Sequence, residues 1–165
     1  MPAPSIAALL DYETNIEDAL ATYLASALSG VQILTTRALI TSEEIQETPR
    51  VTVSVNVTGT NPNQQATRTT DSLTYDSHKM GGVTLVAAIR RNASGQSMTA
   101  LRGGVRQAML AATAALDDSN LPYYQILTLR EGSCTPSINS DNDELIYSMS
   151  YQLEFYIKPD QWAAS

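Results

Sequence analysis

A long alternating segment near the C-terminus constrains the fold more than any other part of the sequence. Between residues 145 and 157 every second side chain is large and apolar, and polar residues occupy most of the positions between them. This period of two is typical of a β-strand that buries one face. Such a segment spans about 40 Å when extended, which is longer than a compact sheet of this size needs. We therefore expect part of this strand to reach beyond its own domain.

Four shorter segments also have the character of strands. Residues 51–58 alternate valine with polar side chains, which predicts a half-buried strand. Residues 82–91 form another, whose expected inward side chains are Val83, Leu85, Ala87 and Ile89. Apolar segments at 31–36 and 123–130 predict two more strands. Short links between consecutive alternating strands favour antiparallel pairing.

The first helix is predicted over residues 15–29. Thr14 and Glu17 have the spacing of a capping box, and Gly30 is a typical C-terminal stop. Apolar residues recur at helical spacing along one face, namely Ile16, Ala19, Leu20, Tyr23, Leu24, Ala27 and Leu28.

The second helix is predicted over residues 97–116. It contains Gly103 and Gly104, although an interior glycine costs up to about 1 kcal/mol relative to alanine. We expect close packing on the sheet or on a neighbour to offset this cost. Its inner face is expected to consist of Met98, Leu101, Val105, Ala108, Met109, Ala112 and Leu116.

These elements predict one α+β domain, in which two amphipathic helices pack on a mainly antiparallel sheet. The domain covers residues 13–159, between an N-terminal arm at 1–12 and a C-terminal tail at 160–165. Residues 58–81 are polar and long for a loop. They form a long hairpin extension, a segment that becomes ordered against another chain, or a mobile surface loop.

Composition excludes several classes of protein. The chain has 10 Lys+Arg and 17 Asp+Glu, a net charge of -7, which argues against sequence-independent binding of nucleic acid. The single cysteine, Cys134, excludes an internal disulfide. No apolar run approaches the ~20 residues of a spanning helix, so we expect a soluble intracellular protein without a membrane partner.

No motif in the sequence indicates catalysis. His78 is the only histidine, and its polar surroundings predict an exposed loop residue. Neither glycine pair matches a phosphate-binding loop. We expect solvated loops at both acidic clusters, and therefore no catalytic, cofactor-binding or metal-binding residues; the clusters are Glu43, Glu44 and Glu47, and Asp141, Asp143 and Glu144.

Charge is unevenly distributed along the chain. Residues 1–47 hold seven acids and one base, a net of -6, whereas residues 68–106 hold six bases and two acids, a net of +4. Such segments predict either head-to-tail contact between copies, which can close a ring, or pairing within one chain. The candidate interface residues are acidic (Glu13, Glu17, Asp18), basic (Arg90, Arg91, Arg102, Arg106) and two off-register aromatics (Tyr156, Trp162).

The order of these segments resembles a known family. The strings EDALATYLAS, SGVQI and RVTVSVNV are followed by VAAIRR, LRGGVRQAMLAAT and YSMSYQLEFYIKP. Across residues 15–159 the pattern is similar to that of tail-terminator and tail-completion proteins of tailed bacteriophages. The resemblance implies a structural virion protein without enzymatic activity or cofactor. Such proteins form hexameric rings that cap the head-proximal end of the tail tube, stop its polymerisation and provide the surface that joins the head.

The resemblance also implies the partners and the location. They would be further copies of the chain, the tail tube protein and a neck or head-completion protein, with DNA passing through the ring without specific binding. The protein would be assembled in the host cytoplasm and end in the virion tail. Alternatives are a neck or head-closure connector, a tail-tube subunit, and a small intracellular enzyme or ligand-binding domain with a carboxylate cleft.

Overall fold

The described residues form a single α+β domain built on a five-stranded sheet, which confirms the predicted fold class. The computed structural model describes residues 8, 10–35, 49–60, 78–90, 97–139 and 144–157. Strand order is β1-β2-β3-β5-β4, with β1 parallel to β2 and every other pair antiparallel. In chain order the elements are α1 (Tyr12–Ala27), β1 (Gln32–Thr35), β2 (Arg50–Thr60), β3 (His78–Arg90), α2 (Met98–Ala115), β4 (Tyr124–Asn139) and β5 (Glu144–Ile157).

The predicted capping box of α1 is wrong, because the helix begins at Tyr12, before Thr14 and inside the predicted arm. Asp11 is the N-cap and makes no side-chain capping bond. The predicted end is close to the observed one, since α1 ends at Ala27 and Gly30 has a φ of +74°. A left-handed residue there reverses the chain toward β1 at little steric cost for glycine.

The two helices pack antiparallel on one face of the sheet. The Tyr23 hydroxyl donates a 2.7 Å hydrogen bond to the Ala108 carbonyl, and a Cβ on Gly104 would lie 3.3 Å from Leu28 Cδ2. Close packing therefore accounts for Gly104. The Ser97 side chain caps α2 by accepting from Ala100 N–H. All seven predicted inner-face residues of α2 are buried.

The predicted inward faces of the long strands are confirmed. Val51, Val53 and Val55 of β2 are buried, as are the four inward residues predicted in β3. The side chains of β5 from Met149 to Ile157 alternate into the same core, and Tyr124 packs edge-on against Phe155 there. β3 begins at His78, earlier than predicted.

The expectation that β5 reaches beyond its domain is wrong. β5 is a central strand that pairs along its whole length with β3 on one side and β4 on the other. The reason is the length of β4, which continues to Asn139 rather than ending at 130. β4 is therefore the long edge strand. It contains Pro136, which an edge strand can accommodate because proline has no N–H to donate to a neighbouring strand.

Candidate subunit interface

Acidic side chains gather at one end of the domain, here called the acidic end. The start of α1 lies against the end of β5, with the ring centroids of Tyr12 and Phe155 5.7 Å apart. The end of α2 reaches the same region, since a surface pocket there is bordered by residues 117 and 118 together with Tyr124. The acids at this end are Asp11, Glu13, Asp117 and Asp118. Lys79 lies among them, with its Nζ 6.0 Å from the Tyr12 ring centroid. Asp18 lies further along α1 and borders a second surface pocket with Asn15 and Asn120.

Arginine side chains define the opposite end, here called the basic end, with Arg90 and Arg102. Arg90 is the exposed last residue of β3 and pairs in register with the first residue of β5. The Arg102 guanidinium lies 4.6 Å from the centroid of the Tyr147 ring, within range of a cation–π interaction. From Lys79 to Arg90 the extended chain covers about 36 Å. Arg91 lies outside the described residues.

Glu17 does not belong to the surface, so its assignment to the interface is wrong. Its residue is 6% exposed, and its Oε2 accepts a 3.2 Å hydrogen bond from Val55 N–H. Val55 lies just beyond Val53, the last residue of β2 that pairs with β1. The carboxylate therefore serves a backbone donor of β2 inside the chain and cannot be presented to another subunit. Glu13 is half-buried and Asp18 is exposed.

Arg106 has a partner within its own chain. Its guanidinium binds Glu131 with contacts of 2.8 Å and 3.1 Å. These hydrogen bonds raise the pKa of Arg106 above its ordinary value. Arg106 is therefore paired within one chain. To contact another subunit as well, its guanidinium would have to bind a second carboxylate beside Glu131.

A second ion pair joins residues that the sequence left unconnected. Arg50 Nη1 lies 2.6 Å from Glu144 Oε1, and Arg50 Nη2 lies 2.9 Å from Oε2. The pair reaches from β2 to β5 across β3, where the small, buried Ala88 lies opposite Arg50. Glu144 is 2% exposed, so its prediction as a solvated loop residue is wrong.

The single histidine is also placed differently from the prediction. His78 opens β3 and is 3% exposed, with its Nε2 3.0 Å from Glu154 Oε1. It pairs in register with Tyr156, whose hydroxyl donates to Gln125 Oε1. These side chains belong to the sheet face opposite the helices. Trp162 lies outside the described residues.

An apolar groove of about 590 Å³ opens at the basic end, between the start of α2 and the adjoining ends of β4 and β5. Ile138 on the edge strand is 62% exposed beside it. The residues that line the groove are Met98, Thr99, Arg102, Pro136, Ser137, Ile138, Leu145 and Tyr147. The groove therefore combines apolar surface with one guanidinium, on the edge of the sheet.

Two buried tyrosines carry the strongest electrostatic perturbations. Burial raises the pKa of Tyr124 to about 12, against the opposing effect of a 2.9 Å hydrogen bond from Asn15. Burial and the Glu131 carboxylate raise the pKa of Tyr151 to about 12, while Arg106 lowers it. Both phenols therefore stay protonated near neutral pH.

The described side chains were compared with the requirements of a metal site and of a membrane span, and the sequence with known proteins. Within the described ranges, no three side chains of His, Cys, Asp or Glu are arranged to hold a metal ion. No helix in that same part of the chain has the length and apolar character needed to cross a bilayer. The sequence matches no protein-family model and no curated protein.

Proposed function

We propose that the chain is a structural subunit of a tailed-bacteriophage virion. Copies would assemble into a ring, of six subunits in the resembling family, that caps the tail tube, stops its polymerisation and offers the head-joining surface. The proposal rests on the resemblance of the sequence to tail terminators. The observation that carries it is the separation of charge between the acidic end and the basic end.

The charge separation favours contact between copies over contact within one. Side chains such as Glu13 and Arg90 lie at ends about 36 Å apart, well beyond a Debye length of about 8 Å at physiological salt. Two copies that meet head-to-tail bring these ends together. Such a contact uses two different surfaces, and it closes a ring when the rotation between copies divides a full turn. The revised charged set is Glu13 and Asp18 against Arg90 and Arg102.

The edge strand supplies a second lateral surface. Along β4, residues 131–138 are exposed except for the half-buried Cys134. An edge with no neighbour among the described strands can add a strand from another chain through backbone hydrogen bonds. The lateral role expected for β5 therefore passes to β4 in this proposal. The net charge of -7 fits a ring through which DNA passes without being held.

The charged contact is tested by reversal and restoration. We expect the purified protein to give closed rings in negative-stain images, with a matching mass by light scattering. Replacing Arg90 and Arg102 with Glu should leave the circular dichroism spectrum unchanged and abolish the rings. Adding Glu13→Arg and Asp18→Arg to the same chain should restore them. Rings that survive the first reversal would remove these residues from the interface.

The function of the ring is tested with its proposed neighbour. Adding the protein to a polymerising tail tube protein should shorten the tubes and place a ring at one end of each. Binding to the head connector without any effect on tube length would indicate a neck protein. Long tubes formed by this chain alone would indicate a tube subunit. A stable monomer that ignores the tube and turns over a small molecule would favour the enzyme class.

A further inference from the structure

The outward face of α2 is unusual because its most exposed residues carry no charge, and the 41% exposed side chain of Arg106 beside them is paired with Glu131. Leu110 on this face is 88% exposed, an exposure that buries almost none of a large apolar side chain. An uncharged, partly apolar helix face is more typical of an interface than of free surface. The exposed residues of the helix are Thr99, Ala100, Gly103, Gln107, Leu110, Ala111, Thr113 and Ala114.

Gly103 has no explanation among the described residues. A Cβ at Gly103 would meet none of their atoms within 4 Å, whereas one at Gly104 would press on Leu28. A glycine in a helix interior destabilises the helix relative to alanine. Gly103 therefore leaves a notch on the outward face without relieving any contact with the described part of the subunit.

The notch and the protruding leucine are related by symmetry. Ala100, Gly103, Gln107, Leu110 and Ala114 follow one another at intervals of three and four residues, which places them in one stripe along the helix. The stripe is nearly symmetric about Gln107, because Gly103 precedes it by four residues and Leu110 follows it by three. If a second α2 lies antiparallel with the two Gln107 residues level, Leu110 of each helix lies beside the Gly103 notch of the other, and Ala100 lies level with Ala114.

The charges of α2 favour the same arrangement. Arg102 lies in the second turn of the helix, and Asp117 and Asp118 follow its end. These charges add to the helix dipole instead of opposing it, which is unfavourable in an isolated helix. In the antiparallel pair Asp117 lies level with Ser97 of the other copy. The carboxylates that follow each helix therefore lie beside the positively polarised start of the other helix.

We propose that the outer face of α2 is a symmetric docking surface for α2 of a second copy. The contact is two-fold, so it cannot be the head-to-tail repeat that closes a ring. It would join two subunits, or two rings face to face. The inference goes beyond the proposed function and does not depend on it.

A single engineered cysteine tests the symmetry directly. In a Cys134→Ser background, Gln107→Cys should form a disulfide-linked dimer under mild oxidation, seen on a non-reducing gel. Thr113→Cys is the control, because in the antiparallel pair its two copies lie about 18 Å apart along the axis. We expect at least about tenfold more dimer from Gln107→Cys. Equal yields from the two variants, or no dimer from Gln107→Cys, would overturn the proposal.

Two surface variants test the packing. Leu110→Glu should weaken dimerisation by at least about 30-fold in analytical ultracentrifugation, while Thr113→Glu, with the same added charge, should leave it unchanged. Gly103→Ala should raise the thermal midpoint of the folded chain yet weaken dimerisation, because the added methyl group occupies the notch. Ring formation through the charged ends should survive in all three variants. Unaltered association of either Leu110→Glu or Gly103→Ala would refute the packing.

Discussion

The buried pair of Arg50 and Glu144 offers the sharpest test of how this sheet is held together. Replacing Glu144 with Ala leaves the Arg50 guanidinium, 15% exposed, without its bidentate acceptor over β3. Removing one partner of a buried ion pair costs about 3–5 kcal/mol, because the remaining charge stays desolvated. For a domain of this size each kcal/mol shifts the thermal midpoint by about 2–4 °C. We therefore expect a decrease of roughly 6–20 °C.

The same protein contains a matched control. Arg106 and Glu131 form an equally bidentate pair, but their side chains are 41% and 34% exposed. Because water solvates both groups, Glu131→Ala should shift the thermal midpoint by no more than about 4 °C. The double variant Arg50→Met with Glu144→Leu should recover most of the loss caused by Glu144→Ala, since apolar packing can replace a buried pair.

The measurement is urea and thermal unfolding followed by circular dichroism, with all variants at one protein concentration because association shifts apparent stability. Equal urea m-values for all variants would show that each exposes the same surface on unfolding, so that differences in midpoint report differences in stability. If Glu144→Ala is no more destabilising than Glu131→Ala, the burial argument is refuted, and the pair across β3 contributes no more than a surface contact.

Three further outcomes can be checked on the folded chain. Raising the pH from 10 to about 12 should progressively lower the free energy of unfolding, because Tyr124 and Tyr151 keep their protons in the folded state after the unfolded chain has lost them. Within the described residues the Tyr151 hydroxyl has no hydrogen-bond partner, so Tyr151→Phe should leave the free energy of unfolding equal or higher. Tyr124→Phe should instead lower it by about 1 kcal/mol, because the hydrogen bond from Asn15 is lost. A loss of stability in Tyr151→Phe together with a gain in Tyr124→Phe would contradict this reasoning. Gly81→Ala should cost at least about 2 kcal/mol, since a Cβ would lie 2.8 Å from Val57 Cα, and a urea midpoint equal to the wild type would disprove the clash.

The candidate interface was only partly predictable from the sequence. The separation of acidic and basic segments is visible in the order of residues, and the first turn of α1, with Glu13, does lie at the opposite end of the sheet from Arg90. Glu17 carries the same charge as its neighbours and could not be distinguished from them by composition. Its helical position, three residues before Leu20 and seven before Leu24, places it on the buried face of α1, where β2 supplies its backbone partner. That Leu110 protrudes and Gly103 leaves a notch on the same face of α2 is known only from the exposure of each residue in the structure.

Local patterns in the sequence determined the two helices, the inward faces of the long strands and the stop at Gly30. These features depend on residues a few positions apart, where spacing alone fixes which side chains share a face. Tertiary structure decided the length of β4, the central position of β5 and the pairing of Arg50 with Glu144, which are 94 residues apart. Residues 131–138 do not alternate, because an exposed edge buries little of either face, and so only pairing with β5 reveals them as strand.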